Sequence, residues 1–141
     1  MINISINTIL EWIFSILLAL LFYKNAMKKK HHIFSFYKSM SEYRFFKEGL
    51  ALRVISSLLI TCDFVIALVI LIPIYRPAIS LLGIAIQLFY FFIMIINYNL
   101  YSDNNCGCFI INTPYSVSFK DITINLSIMF VFMSVFVLTI K

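Results

Sequence analysis

Four apolar runs, residues 4–22, 54–74, 78–96 and 122–140, alternate with polar breaks along the chain. Each approaches the roughly 20 residues an α-helix needs to cross the hydrocarbon of a bilayer. The first is the least apolar, with Ser5, Asn7, Thr8 and Glu11 near its start. No Lys or Arg precedes that run and no small-residue cleavage site follows it, so it reads as a retained span. Barrel strands would alternate polar and apolar positions over about ten residues, and the run VISSLLITCDFVIALVILIPI does not. In lipid each backbone amide needs a partner inside its own segment, which makes these runs helices. The pattern predicts an all-α polytopic membrane protein, a four transmembrane helix bundle forming a single domain over residues 1–141. It shows no internal repeat, no low-complexity linker and no room for a soluble domain.

Composition agrees. The chain is 62% hydrophobic and only 12% charged, with a mean hydropathy of +0.99, whereas soluble domains use about 45–50% apolar and 25% charged residues. The formal net charge of +5 does not imply a nucleic-acid partner. Its carriers crowd into YKNAMKKKHH, directly after the first span, where they meet the headgroups of the lipid bilayer. Tyr23, Tyr75, Tyr98 and Tyr101 fall at span ends, where amphipathic rings favour the interface. The protein is therefore expected in the cell membrane as a multi-pass protein. Nothing resembles a nucleotide-binding loop, a hydrolase nucleophile elbow or a paired-carboxylate site.

Chemistry is left to two long breaks, residues 23–53 and 97–121. With four spans they emerge on the same side and can form one cap. Phe34, Tyr37, Tyr43, Phe45 and Phe46 in the first suggest a short surface or re-entrant segment lying on the bundle. The second contains Cys106, Gly107 and Cys108. Alpha carbons two residues apart can come about 5.5–7 Å from each other, which overlaps the usual disulfide range of roughly 4.4–6.8 Å. A Cys-Gly-Cys bridge is thus tight but attainable, with glycine supplying the backbone freedom. So small a ring restricts almost no chain, so it is a poor staple, and its strain makes it easy to reduce. Three readings compete: two ordinary thiols in a loop, a metal site completed by His31 and His32, and reversible thiol-disulfide exchange. The one-residue gap is narrower than the usual spacing of zinc cysteines, and adjacent histidines seldom both face one ion, so no metal is assigned. Exchange is favoured.

Cys106-Gly107-Cys108-Phe109, before a last helix and after an aromatic loop, resembles the Cys-Gly-Cys-Phe-Gly motif of the MauE proteins of methylamine utilisation, within the wider DoxX-like membrane group. Weaker matches are a lysine after span one (Lys24), an aromatic loop ending in tyrosine (Phe34 and Tyr43), an acid in span two (Asp63) and an asparagine starting span four (Asn125). The chain departs from the pattern at Ile110, where glycine is expected, and at Ile124, where arginine often precedes the asparagine. The resemblance implies a membrane thiol-disulfide relay or maturation factor for disulfide-containing exported proteins, working beside a thioredoxin-like partner. No cofactor is required, although a quinone could accept electrons. The alternative from a different class is a non-catalytic immunity or assembly factor for an exported peptide or complex.

Asp63 falls near the middle of span two, where a charge costs about 2.5–3.5 kcal/mol on insertion scales. Expected compensations are Lys24 reaching back, Gln87 in span three, or a proton on Asp63 itself; beyond structure, Asp63 is a candidate proton-handling group for the thiols. Cys62 beside it reads as a packing residue. Two considerations oppose each other on sidedness. Lys24, Lys28, Lys29, Lys30, Lys38, Arg44, Lys47 and Arg53 lie between spans one and two, with Arg76 and Lys141 opposite, and the positive-inside rule assigns the rich side to the cytoplasm. Cytosolic reductants would hold a strained thiol pair as an idle dithiol, and this, with the resemblance, favours an extracytoplasmic Cys-Gly-Cys loop.

Overall fold

The computed structural model describes residues 5–44, 47, 49–102 and 115–140. Five α-helices run in the order α1 (Ile6–His31), α2 (Ile33–Glu42), α3 (Leu50–Val69), α4 (Arg76–Ile96) and α5 (Phe119–Ile140). A single 3₁₀ turn, Pro73–Tyr75, joins α3 to α4, and a two-residue antiparallel ladder pairs β1 (Tyr101–Ser102) with β2 (Tyr115–Ser116). Helices α1, α3, α4 and α5 are each long and apolar enough to cross a membrane, so the four-span expectation holds.

The first span is longer than its hydropathy suggested. Helix α1 continues well past residue 22 to His31, because YKNAMKKKH contains no breaker and is rich in Ala, Met and Lys, all strong helix formers. Hydrophobicity stops at Phe22 while the backbone hydrogen bonding goes on. The break expected over residues 23–53 is accordingly mostly helical. Its second part, α2, lies on the bundle as expected of an amphipathic surface segment, burying Phe36, Ser39 and Met40.

The bundle closes around Phe132 of α5, whose ring meets Phe22 of α1 edge-on at 5.3 Å. On the other side Phe132 faces Gly83 of α4, where an added Cβ would collide with the ring. The small residue lets α4 and α5 approach closely, the usual way helices associate where lipid offers no hydrophobic drive. Large apolar side chains such as Leu17, Leu20, Leu58, Leu68, Phe92 and Phe130 point outward, as a lipid-facing belt should. Exposed hydroxyls within the spans satisfy themselves locally: Thr61, Ser127 and Ser134 donate to the carbonyls of Ser57, Thr123 and Phe130.

Helix ends at the cation-rich side are fixed by specific caps. Ser118 and Asp121 form a capping pair at the start of α5, the carboxylate accepting from both the backbone N–H (2.9 Å) and the hydroxyl (2.7 Å) of Ser118. At the end of α4, Asn97 is buried; its amide donates to the Ile93 carbonyl (2.8 Å) and its oxygen accepts from the Arg44 backbone N–H (2.9 Å). That second bond ties the chain leaving α2 to the chain leaving α4, so the two long breaks do meet in one cap. Asn99 then turns the backbone with φ of 59°, a left-handed conformation that asparagine tolerates, and its N–H reaches the Val117 carbonyl at 3.0 Å.

Candidate functional site

Beneath that cap, a lysine, an aspartate and a tyrosine are gathered from three spans. Lys29, two residues before the end of α1, sends its side chain back toward the helix N-terminus, the direction in which Cα–Cβ bonds tilt. Its Nζ donates to Asp63 Oδ2 of α3 at 2.6 Å and to the Tyr90 hydroxyl of α4 at 2.8 Å. Lys29 and Asp63 are each about 1% exposed at the side chain. Aromatic faces complete the enclosure: the ammonium lies 4.8 Å from the Tyr90 ring centroid and 5.3 Å from that of Phe36. Helix α2 thus serves as a roof, its Phe36 lying over the lysine.

The acid in span two has its compensating charge, and it is neither of the side chains anticipated. Lys24 is exposed; it precedes Lys29 by five positions, which turns it about 140° away around the helix at about 100° per residue. Gln87 is also engaged elsewhere, accepting from the Asn125 side-chain amide of α5. The acid is therefore in a lysine pair, and both Gln87 and Asn125 are fully buried. Breaking one partner of a pair this dry costs about 3–5 kcal/mol because the survivor stays buried and charged. Asp63 Oδ1, Gln87 Nε2 and Asn125 Oδ1 have no hydrogen-bond partner among the described residues.

The remaining expected site residues divide. Tyr43 is buried at the C-terminus of α2 and Asn125 lies in the bundle interior. Cys62 is partly buried and packs against the core, in keeping with a packing role. Cys106, Gly107, Cys108 and Phe109 lie outside the described residues, as do Phe45 and Phe46. The stems of their segment do not: Ser102 and Tyr115 are register partners in the ladder. His31 and His32 are exposed at the end of α1, and no three His, Cys, Asp or Glu side chains converge among the described residues.

Sequence reasoning missed Lys29 and Tyr90, as well as a second ion pair at the opposite end. There Arg76, the first residue of α4, donates from Nη1 to Glu11 Oε1 (2.6 Å) and from Nε to the Ile70 carbonyl (3.1 Å), and stacks 3.9 Å from the Trp12 ring centroid. A usable signal existed for both lysine and arginine: each is a cation close to a span, with an acid in another span that had no partner.

Fold and site together define a four-span helical membrane protein with a dry lysine–aspartate–tyrosine cluster under a capped end. A family model described as methylamine utilisation protein MauE matches residues 7–140, nearly the whole chain, and the chain belongs to that family. No curated protein and no solved structure matches it.

Proposed function

We infer that the chain is a thiol-disulfide relay or maturation factor for disulfide-containing exported proteins, acting through Cys106 and Cys108. The observation that carries this reading is the anchoring of the cysteine segment's stems, by the β1–β2 ladder and the Asn97 bond, at the end of the bundle that holds Lys29, Asp63 and Tyr90. One thiolate attacks a partner's disulfide, giving a mixed disulfide and releasing one partner thiolate. The second thiolate then displaces the remaining partner sulfur, so the partner leaves as a dithiol and Cys106 and Cys108 are joined. The same steps in reverse oxidise a partner, and a thioredoxin-like protein is the natural counterpart in either direction. Only a thiolate attacks, and the fixed ammonium, carboxylate and phenol at the same end of the bundle as the segment's stems offer groups that could exchange the protons involved.

A quinone is not needed for this scheme. The lateral groove between α3 and α4, about 280 Å³, is lined by Ile55, Leu58, Leu59, Cys62, Ile86 and Phe89 among others. Apart from the Cys62 thiol these side chains offer no hydrogen-bond donor for a quinone carbonyl, so no step is assigned to one.

For sidedness the relay reading favours the outside, where a strained pair can be oxidised and passed on. Burial of Arg76 in an ion pair removes it from the charge count on the far side, which makes the cation-rich cap the strongest opposing observation. A membrane-impermeant maleimide on intact, mildly reduced cells decides it. Labelling of Cys106 and Cys108 before lysis is expected, and labelling only after lysis would make the chain a cytosolic thiol donor or sensor.

The function itself is tested by Cys106→Ser with Cys108→Ser, assayed for maturation of a disulfide-containing exported protein. Loss of maturation at unchanged protein level is expected. Full maturation without the two thiols would favour the non-catalytic immunity or assembly role.

A further inference from the structure

At the cation-rich end, between α2 and α3, a second concavity of about 270 Å³ is lined by Ile33, Phe34, Tyr37, Arg53, Ser56 and Ser57. Neither Lys29 nor Asp63 lines it, and it does not depend on the thiols. Arg53 takes part in neither of the ion pairs formed among the described residues. Its guanidinium sits 5.7 Å from the Tyr37 ring centroid, a contact that orients the charge without neutralising it. Tyr37 is itself held, its hydroxyl accepting from the Gly49 backbone N–H at 3.3 Å.

Ser56 is the more telling residue. Thr61, Ser127 and Ser134 each donate to a backbone carbonyl one turn earlier. Ser56 lines the concavity, is 2% exposed, and its Oγ has no hydrogen-bond partner among the described residues. A buried hydroxyl without a partner is costly, and a ligand oxygen beside Arg53 would supply one. The rim is apolar and open: Phe34 is 77% exposed. Arg53 lies within the first turn of α3, which begins at Leu50, the level at which a spanning helix meets the headgroups. Lys30, His31 and Lys38 are exposed nearby in sequence on α1 and α2. A cation, a buried donor and an apolar rim at that level match an amphiphile with an anionic head.

We propose that this concavity binds one anionic phospholipid, its phosphate oxygens taken by Arg53 and Ser56 and its acyl region leaving past Ile33 and Phe34. The lipid would clamp α2 to α3 and so hold Phe36 over Lys29.

The test is native mass spectrometry of the full chain in detergent, with phosphatidylglycerol and phosphatidylcholine of identical acyl chains. One phosphatidylglycerol should be retained about fivefold better than phosphatidylcholine, the effect of one cation near a headgroup at about 1 kcal/mol. Arg53→Gln should abolish that preference, Ser56→Ala should weaken phosphatidylglycerol retention about threefold, near the roughly 0.5–1.5 kcal/mol of one hydrogen bond, and Lys38→Gln, an exposed cation on α2, should change it by less than about twofold. Equal retention of the two lipids overturns the proposal. So does equal loss in Lys38→Gln and Arg53→Gln, which would mean diffuse charge attraction, or displacement of phosphatidylglycerol by a neutral quinone. Ser56→Ala removes no charge and decides the matter should Arg53→Gln not fold.

Discussion

The two ion pairs share a distance, 2.6 Å, and little else. Arg76 and Tyr90 lie on one face of α4, about 21 Å apart at about 1.5 Å per residue, so the pairs occupy opposite ends of the bundle. At the Arg76 end the acid, Glu11, retains 16% of its side-chain exposure. The guanidinium there has further supports in the Ile70 carbonyl and the Trp12 face. It staples the start of α1 to the α3–α4 turn, and only its acid partner reaches the surface. At the Lys29 end both partners are enclosed and three spans and α2 contribute; each end leaves one buried atom, Asp63 Oδ1 or Arg76 Nη2, without a partner among the described residues. A staple would not need so complete an enclosure. The difference suggests that the Arg76 pair sets helix position, whereas the Lys29 cluster keeps titratable groups dry at the end of the bundle where the β1–β2 ladder lies.

The sharpest way to break this comparison is to remove one charge from each end. Lys29→Met strands the Asp63 carboxylate and should cost about 3–5 kcal/mol in reversible unfolding in mixed micelles, with most of the loss recovered in Lys29→Met combined with Asp63→Leu. A double variant as unstable as the single one would show that the pair is not coupled. Between the two ends, Gly83→Ala drives a methyl into the Phe132 ring and should cost about 2 kcal/mol. Adding Phe132→Leu should restore much of it, and no rescue would mean that α4 and α5 do not meet there. Tyr90→Phe removes one acceptor from the ammonium, an effect of about 1.5 kcal/mol. Its more useful readout is the thiol exchange rate, which should fall if the cluster serves the cysteines and stay at the parent value if the cluster is only structural. Smallest of all, Glu11→Gln should cost about 1 kcal/mol in the same unfolding assay, because the glutamine carbonyl can still accept from the buried guanidinium, Glu11 is itself partly exposed, and Arg76 keeps its other contacts. A loss as large as that of Lys29→Met would erase the distinction between the two ends.

The spans, the cap and the need for something to compensate Asp63 were legible because each follows from local hydropathy or from the cost of a charge in hydrocarbon. The identity of the compensating group was not. Hydropathy ends span one at Phe22 and makes Lys29 one of a row of headgroup lysines, while the helix carries it to His31 and turns it inward. Nothing in the sequence separates Lys29 from Lys28 or Lys30 except angular position on a helix whose end was misjudged. Gln87 was named as a polar group in span three and Asn125 through the family resemblance, yet their mutual bond spans 38 residues and depends on how α4 and α5 face each other. Glu11 looked like a flaw in the weakest span until Arg76, 65 residues on, was found beside it. Asp63→Asn keeps the shape of the acid but leaves Lys29 buried without its counter-ion, so it is informative only alongside Lys29→Met.

The most direct test is the redox state of Cys106 and Cys108 in native membranes. Because the chain has three cysteines, a Cys62→Ser background leaves only that pair, and a mass-tagging alkylator applied before and after reduction counts free and bridged thiols. Relay function requires both the dithiol and the disulfide to be populated, with interconversion on mild oxidation or reduction and slower interconversion in the Lys29→Met, Asp63→Leu double variant. A pair that stays wholly free or wholly blocked under conditions that support function would contradict the account.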